Sequence, residues 1–466
     1  MTKPRRVHLA LSALLLTPLA AIALLSSPVP RKPKKPNVVL LLVDTLRADH
    51  LSHFGYHRPT AAPLDDFAAQ ATVFTRAYAP APWTAPSAAS LHTGLFPTGH
   101  GLLAKGDKLD ARLLTIAEAL KARGWHTLGH SFNHHVSSKT GFDQGFSVFD
   151  DFLGHATAYP DISRLLPRVG NQLDSMPGGP FFLYLHPMNV HGPYKVPKPH
   201  RADLLGRPPS RKFVYYGRKM RAILQRGDLE VRKHVGPRML QSLVDQYDTA
   251  IRYSFAELAK ILDLLKERDL YDDSLIVLTA DHGEELFEHG GFSHGYSLHE
   301  ELLHVPLYIK LPRQKRPRRI GTPVSLLDIY PTIVDLLDIP GAHGSDGHSL
   351  LPLLQGRSGE APARQHFVHL VDWKARCRGR ALANERFKLV EVERNYEGLR
   401  NTTMLYDRRN DPNESINLAQ HKPELVKSMR SALQAALKSF THTGIKPVNV
   451  LDKLDKDRLQ ALGYGQ

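Results

Sequence analysis

Residues 79–101, A-P-A-P-W-T-A-P-S-A-A-S-L-H-T-G-L-F-P-T-G-H-G, are the stretch around which the chain is organised. Thr84 stands at its centre, between a Pro-Trp lead-in and a run that reads as the start of a helix with Pro86 and Ser87 in the first turn. A helix N-terminus offers unsatisfied N–H groups and the positive end of a dipole, so a hydroxyl there can be stabilised as an alkoxide beside a bound anion. An isolated T-x-P-S is more often only the N-cap of a buried helix. The case for a nucleophile therefore rests on the residues around it.

Upstream, N-V-V-L-L-L-V-D (37–44) is a continuous apolar run of strand length that ends in Asp44, as expected for a central parallel strand covered on both faces. A carboxylate at the C-terminal end of such a strand points into the crevice where α/β enzymes bind ligands; an aspartate that merely caps a helix is the alternative. Downstream, L-L-T-I-A-E-A-L-K-A-R-G (113–124) has helical spacing and stops at Gly124. W-H-T-L-G-H-S-F-N-H-H then carries four histidines, of which at least one is expected to face a ligand. P-F-F-L-Y-L-H-P-M-N-V-H-G-P-Y (180–194) is a second buried strand emptying into a loop with His186, Asn189 and His191.

A long amphipathic pattern over 237–269 leads into S-L-I-V-L-T-A-D-H-G-E-E (274–285), where a strand ends in the adjacent oxygen and nitrogen donors Asp281 and His282; His289 and His294 follow. V-P-L-Y-I-K-L-P (305–312) reads as another strand, and residues 324–337 as a helix broken or kinked at Pro331. Beyond about residue 346 come shorter strands, H-F-V-H-L-V and R-F-K-L-V-E-V, and a helix near 423–438. The domains so defined are a leader and basic linker (1–36), a catalytic domain (37–345) with a basic insertion near 195–238, a C-terminal α+β subdomain (346–440) and a tail (441–466).

At 466 residues the chain can build a large core without staples, and its single cysteine, Cys377, excludes internal disulfides and multi-cysteine metal sites. Seven basic and no acidic residues in 1–36 bracket an apolar run from Leu9 to Leu25, the pattern of a signal peptide or signal anchor, with Arg5-Arg6 admitting twin-arginine export. The expectation is an exported protein, periplasmic or anchored in the inner membrane and facing the periplasm. The formal charge of +15 is spread over this leader, residues 195–238 and R-Q-K-R-P-R-R (313–319). No nucleic-acid recognition motif accompanies it, so nucleic acid is not expected as a partner; an anionic lipid head group or polysaccharide fits better.

From N-V-V-L-L-L-V-D-T-L-R-A-D-H-L through T-A-P-S-A-A-S-L-H-T-G, M-N-V-H-G-P-Y, T-A-D-H-G-E-E and S-H-G-Y-S-L-H-E-E to L-Y-D-R-R-N-D-P-N-E-S-I-N-L-A, the chain resembles the sulfatase family of the alkaline phosphatase superfamily over residues 37–440. The ending, D-R-L-Q-A-L-G-Y, is similar to the tail of bacterial membrane-associated members. The resemblance implies an α/β fold, with a large mixed sheet flanked by helices plus a small C-terminal antiparallel subdomain. It also implies that Asp44, Asp281 and His282 bind one divalent cation touching Thr84, with calcium, magnesium or manganese expected and zinc as a further candidate. His191 and His294 match positions that hold the anionic group or protonate the leaving oxygen, and His134 and Asn189 fall at substrate positions.

Sulfatases carry C-x-P-S-R or S-x-P-S-R, whose first residue becomes formylglycine. This chain has Thr84 and Ala88 at those two positions, so no formylglycine is expected. The family's paired aspartates become Asp44-Thr45, and its pocket lysine becomes Phe132. Threonine nucleophiles with one metal resemble the lipoteichoic-acid-synthase-like enzymes instead. The sequence thus points to a metal-dependent hydrolase of phosphoesters, a phosphodiesterase or phosphotransferase, with a sulfuric ester hydrolase and a catalytically silent glycan- or lipid-binding protein as alternatives.

Overall fold

The computed structural model describes residues 35–151, 159–208, 235–340, 344–357, 367–373, 377–394, 399–446 and 448–450. The apolar leader segment, most of the basic insertion and the end of the tail lie outside the described residues. Every described helix and strand belongs to the unit that begins at Pro36.

The strands in chain order are β1 (Asn37–Leu42), β2 (Thr72–Tyr78), β3 (His126–Ser131), β4 (Val148–Asp150), β5 (Phe181–His186), β6 (Ser274–Thr279), β7 (Glu285–Leu286), β8 (Phe292–Ser293), β9 (His304–Lys310), β10 (Arg318–Ile320) and β11 (Val324–Ser325). The large sheet has the order β10-β2-β9-β6-β1-β5-β3-β4, with β11 also on β2. β1 lies parallel to β5 and β6, and β3 parallel to β5, while β9 runs antiparallel between β6 and β2. Every residue of β1, β5 and β6 is buried, which is why these segments read as unbroken apolar runs rather than alternating ones. Leu41 is level with Leu185, Leu42 with Thr279, and Ser131 with His186. That register brings the residues just past β1, β3 and β6, and the last of β5, to one edge of the sheet.

Helices cover the sheet: α1 (Thr84–Thr93), α2 (Ile116–Lys121), α3 (Leu165–Ser175), α4 (Pro237–Glu267) and α5 (Ile329–Leu336). The helix expected at 113–124 is shorter because Thr115 and Glu118 cap it reciprocally. Its exit passes through Gly124 at φ +88°. α4 begins with Pro237 in its first turn and buries Tyr247, Ile251, Leu258, Ile261 and Leu265 at helical spacing. No helix among the described residues is long and apolar enough to cross a membrane.

Pro331 neither breaks nor kinks a helix spanning 324–337. A short 3-10 turn (Leu326–Asp328) precedes α5, and Pro331 falls in the first turn of α5, where its missing N–H has no intrahelical acceptor to lose.

The C-terminal part is an antiparallel meander of β12 (Phe367–Trp373), β13 (Cys377–Ala383), β14 (Phe387–Arg394) and β15 (Arg400–Asp407), covered by α6 (Pro423–Ser439). Val426, Met429 and Leu433 of α6 pack with Leu382, Leu389 and Leu405. Phe96 and Leu327 join the same cluster, and Phe96 stacks on Phe440 at 4.1 Å. The small sheet is therefore fastened to the loop that follows α1.

Candidate active site

Asp44 follows β1, and Asp281 and His282 follow β6, so adjacent parallel strands deliver all three to one point. One ligand atom from each lies within 4.8 Å of the others, and all three side chains are wholly buried. Asp44 Oδ2 accepts a hydrogen bond from Asn133 Nδ2 (2.6 Å) and lies 3.1 Å from His186 Nε2; Oδ1 accepts none. Asp281 Oδ1 accepts from the backbone amides of Thr45 (3.2 Å) and His282 (3.0 Å), while Oδ2 lies 3.3 Å from His282 Nε2 without a well-aligned hydrogen bond. His282 directs Nδ1 at the carbonyl of Gly283 (2.8 Å), which leaves the lone pair of the neutral ring on Nε2, 3.3 Å from Thr84 Oγ1. Two carboxylate oxygens without donors and an imidazole nitrogen are the donor set of a divalent cation, and buried atoms of this kind are otherwise costly.

The titration behaviour agrees. Burial and the nearby Asp281 charge push the Asp44 carboxyl up. Burial acts on Asp281 in the same sense, but the His282 ring outweighs it and holds that carboxyl at about 2. His282 is pushed up to about 9, because Asp281 and then Asp44 overcome the effect of burial. In a cation-free chain the ring proton partly compensates two like charges; a metal would take over that work.

Thr45 has φ +56°, a strained setting for a β-branched residue. Its N–H bonds Asp281 and its carbonyl accepts from the Tyr247 hydroxyl (2.6 Å), so the turn is held from two sides.

Thr84 is the first residue of α1, and Trp83 is its N-cap without a side-chain hydrogen bond. The Thr84 hydroxyl therefore does not cap the helix. It accepts from Asn133 Nδ2 (3.3 Å) and faces His282. Ser87 Oγ donates to the carbonyl of Asp281 (2.5 Å), tying the first turn of α1 to the loop that carries Asp281 and His282. Ala88, at the motif's arginine position, is wholly buried in the main core.

A row of rings leads away from this point. The centroids of His282 and His294 are 4.5 Å apart, His294 and His191 5.0 Å, His191 and Tyr159 5.4 Å, and Tyr159 and His134 6.1 Å. His294 Nδ1 is 3.1 Å from Glu284 Oε1, a buried carboxylate, and His191 Nδ1 is 2.7 Å from the carbonyl of Gly192.

Of the residues singled out in the sequence, Thr84, Asp44, Asp281, His282, His191 and His294 come together, with His134 half-buried at the far end of the row. Asn189 does not join them: its Oδ1 accepts from Ile162 N (2.9 Å) and its Nδ2 donates to Asp161 and the Lys195 carbonyl, so it braces the surrounding loops instead of facing a substrate. Asn133, His186 and Glu284 also reach the site, and each is recognised only by what it touches.

The family profile described as Sulfatase matches residues 36–339. The chain belongs to the sulfatase family. A second profile, N-sulphoglucosamine sulphohydrolase, C-terminal, matches residues 287–442. Among curated relatives, a sulfatase of Formosa agariphila is 25% identical over 459 residues (86% of each chain). Arylsulfatase K of Gallus gallus is 25% identical over 455 residues, covering 87% of this chain and 83% of the relative. The fold is that of the phosphonate monoester hydrolase of Agrobacterium radiobacter, with a TM-score of 0.71 at 21% identity over 86% of this chain and 95% of that one. It is also that of an enzyme solved with its substrate D-glucosamine-2-N,6-O-disulfate, with a TM-score of 0.69 at 19% identity over 89% of this chain and 99% of that one. The sulfatase-family chain is thus an ester-hydrolysing enzyme with an anionic ester as substrate.

Proposed function

We propose that this sulfatase-family hydrolase uses Thr84 as its nucleophile, and uses it on phosphoesters. The observation that carries the reading is the setting of the Thr84 hydroxyl: 3.3 Å from His282 Nε2 and 3.3 Å from Asn133 Nδ2, beside two carboxylates, and with no part in capping its helix. A divalent cation held by Asp44, Asp281 and His282 would lower the hydroxyl's pKa and neutralise charge on the transferring group. Asn133 keeps both the Asp44 carboxylate and the Thr84 oxygen in place.

The Thr84 hydroxyl gives up its proton to bulk water, and its oxygen bonds to phosphorus as the bond to the leaving alcohol breaks, giving a phosphothreonine. His294, held on Glu284, gives the departing oxygen its proton. His191, with Nδ1 turned to the Gly192 carbonyl, presents Nε2 as the acceptor for a proton of the water that cleaves the phosphothreonine. The substrate we expect is an anionic lipid head group or glycan outside the inner membrane, in keeping with the leader and the basic segments of the sequence.

Thr84→Ala is expected to abolish metal-dependent turnover of aryl phosphate esters while leaving cation binding and the circular dichroism spectrum intact; unchanged turnover would end the proposal. The names of the relatives favour a second reading, sulfate ester hydrolysis. Matched aryl sulfate, phosphate and phosphonate substrates separate the two, and a sulfate preference retained by the native chain would select the second.

A further inference from the structure

A second cluster of metal-type donors lies away from Thr84, in the loop that carries β7 and β8. One ligand atom from each of His289, His299 and Glu301 lies within 4.8 Å of the other two. His289 and His299 are in edge-on contact with ring centroids 3.6 Å apart. Glu301 Oε1 accepts from His289 Nδ1 at 2.6 Å, and His289 Nε2 lies 3.1 Å from the carbonyl of Asn413.

His299 is only 7% exposed, and its buried Nδ1 has no hydrogen-bond partner. A buried ring nitrogen left without a partner, pressed against a second imidazole and next to a carboxylate, calls for an explanation that packing does not give. His289 and Glu301 also line a cleft of about 1300 Å³, which supplies an entry path. Charged neighbours of the cluster include Glu285, Glu300, Glu414 and Asp411 on the acidic side and Lys388 and Arg47 on the basic side, and arginines including Arg408 also line the cleft.

We propose that His289, His299 and Glu301 form a second cation site, separate from Asp44, Asp281 and His282, that takes a zinc-class ion. Two imidazoles and one carboxylate favour a borderline transition cation over calcium or magnesium, and leave a fourth position toward the cleft. The cation displaces the proton that His289 Nδ1 shares with Glu301, and that proton leaves to solvent. The site is independent of which residue is the nucleophile.

The test is equilibrium dialysis of the full, untagged chain against Zn²⁺, followed by metal analysis. The native chain should hold two ions. His299→Gln and Asp44→Asn/Asp281→Asn should each hold one, and the combined variant none. A native count of two that is unchanged in His299→Gln overturns the proposal, as does the absence of bound zinc in Asp44→Asn/Asp281→Asn. If His299→Gln does not fold, Co²⁺ added to Asp44→Asn/Asp281→Asn decides the matter. One equivalent with visible absorption typical of nitrogen ligation supports the second site, and no such absorption refutes it.

Discussion

Two regions of this molecule bury charge, and they handle it in opposite ways. Around Lys388, wholly buried on β14, the charges cancel among side chains: its ammonium meets Glu300 at 3.2 Å and Glu414 at 2.9 Å, and Glu300 also bonds Arg408 at 2.9 Å. Burial pushes Glu414 up to about 7 in spite of Lys388, while Lys388 and Arg408 overcome burial to hold Glu300 well below the usual carboxylate range. Around Thr84, two equally buried carboxylates have only imidazoles and amides for company, and one oxygen of each accepts no hydrogen bond. A closed network serves the fold. An open one waits for a ligand.

The contrast can be broken most directly at Asp281. Asp281→Asn should cost about a thousandfold or more in turnover, the order expected when a group that stabilises transition-state charge is lost. In the cation-free state the same substitution removes a like charge next to Asp44 but also the partner of the His282 ring, so chemical denaturation in the presence of chelator should show only a partial loss of stability, smaller than that of Lys388→Met. A large loss there would mean that the site is closed after all.

Lys388→Met should do the reverse. Stranding Glu300 and Glu414 should cost about 3–5 kcal/mol, with the cation stoichiometry of the Thr84 site unchanged. Glu284→Gln is milder: it weakens the hold on His294 Nδ1, and roughly a 10- to 100-fold fall in kcat with a displaced limb of the pH profile is expected. A uniform fall with the profile unmoved would indicate a structural role only.

The smallest effect concerns pH. In the cation-free chain His282 titrates at about 9 against an ordinary value of 6.5, so its contribution to stability is complete below 6.5 and is lost as pH rises through 9. With chelator, Tm should fall by roughly a few degrees across that interval. With saturating cation the fall should disappear, because the ring no longer carries the proton. Equal slopes with and without cation would separate His282 from metal binding.

The fold was legible where burial leaves a one-dimensional trace. Val38–Leu42, Phe181–Leu185 and Leu275–Leu278 are apolar throughout because both faces of each strand are covered, and Asp44 and Asp281-His282 announce themselves as charged residues just past a buried strand. β13 was harder to see. C-R-G-R-A-L-A alternates inward Cys377 and Gly379 with outward Arg378, yet glycine and arginine carry little strand signal. Asn133 and His186 could not be assigned because their roles depend on the register of β3 against β5 and of β5 against β1, which no local pattern records. Asn189 differs for the converse reason: its position in a motif suggests a substrate contact, whereas in the structure its amide is engaged by Ile162 and Lys195 of neighbouring segments.

The capping of α1 has one more implication. Trp83 starts the helix through its backbone, and Ser87 supplies the side-chain tether to the Asp281 loop, so the first turn of α1 is held without a cap from the side chain at position 84. If Thr84 is the nucleophile as proposed, exchanging it should alter what bond is attacked while the helix start stays in place.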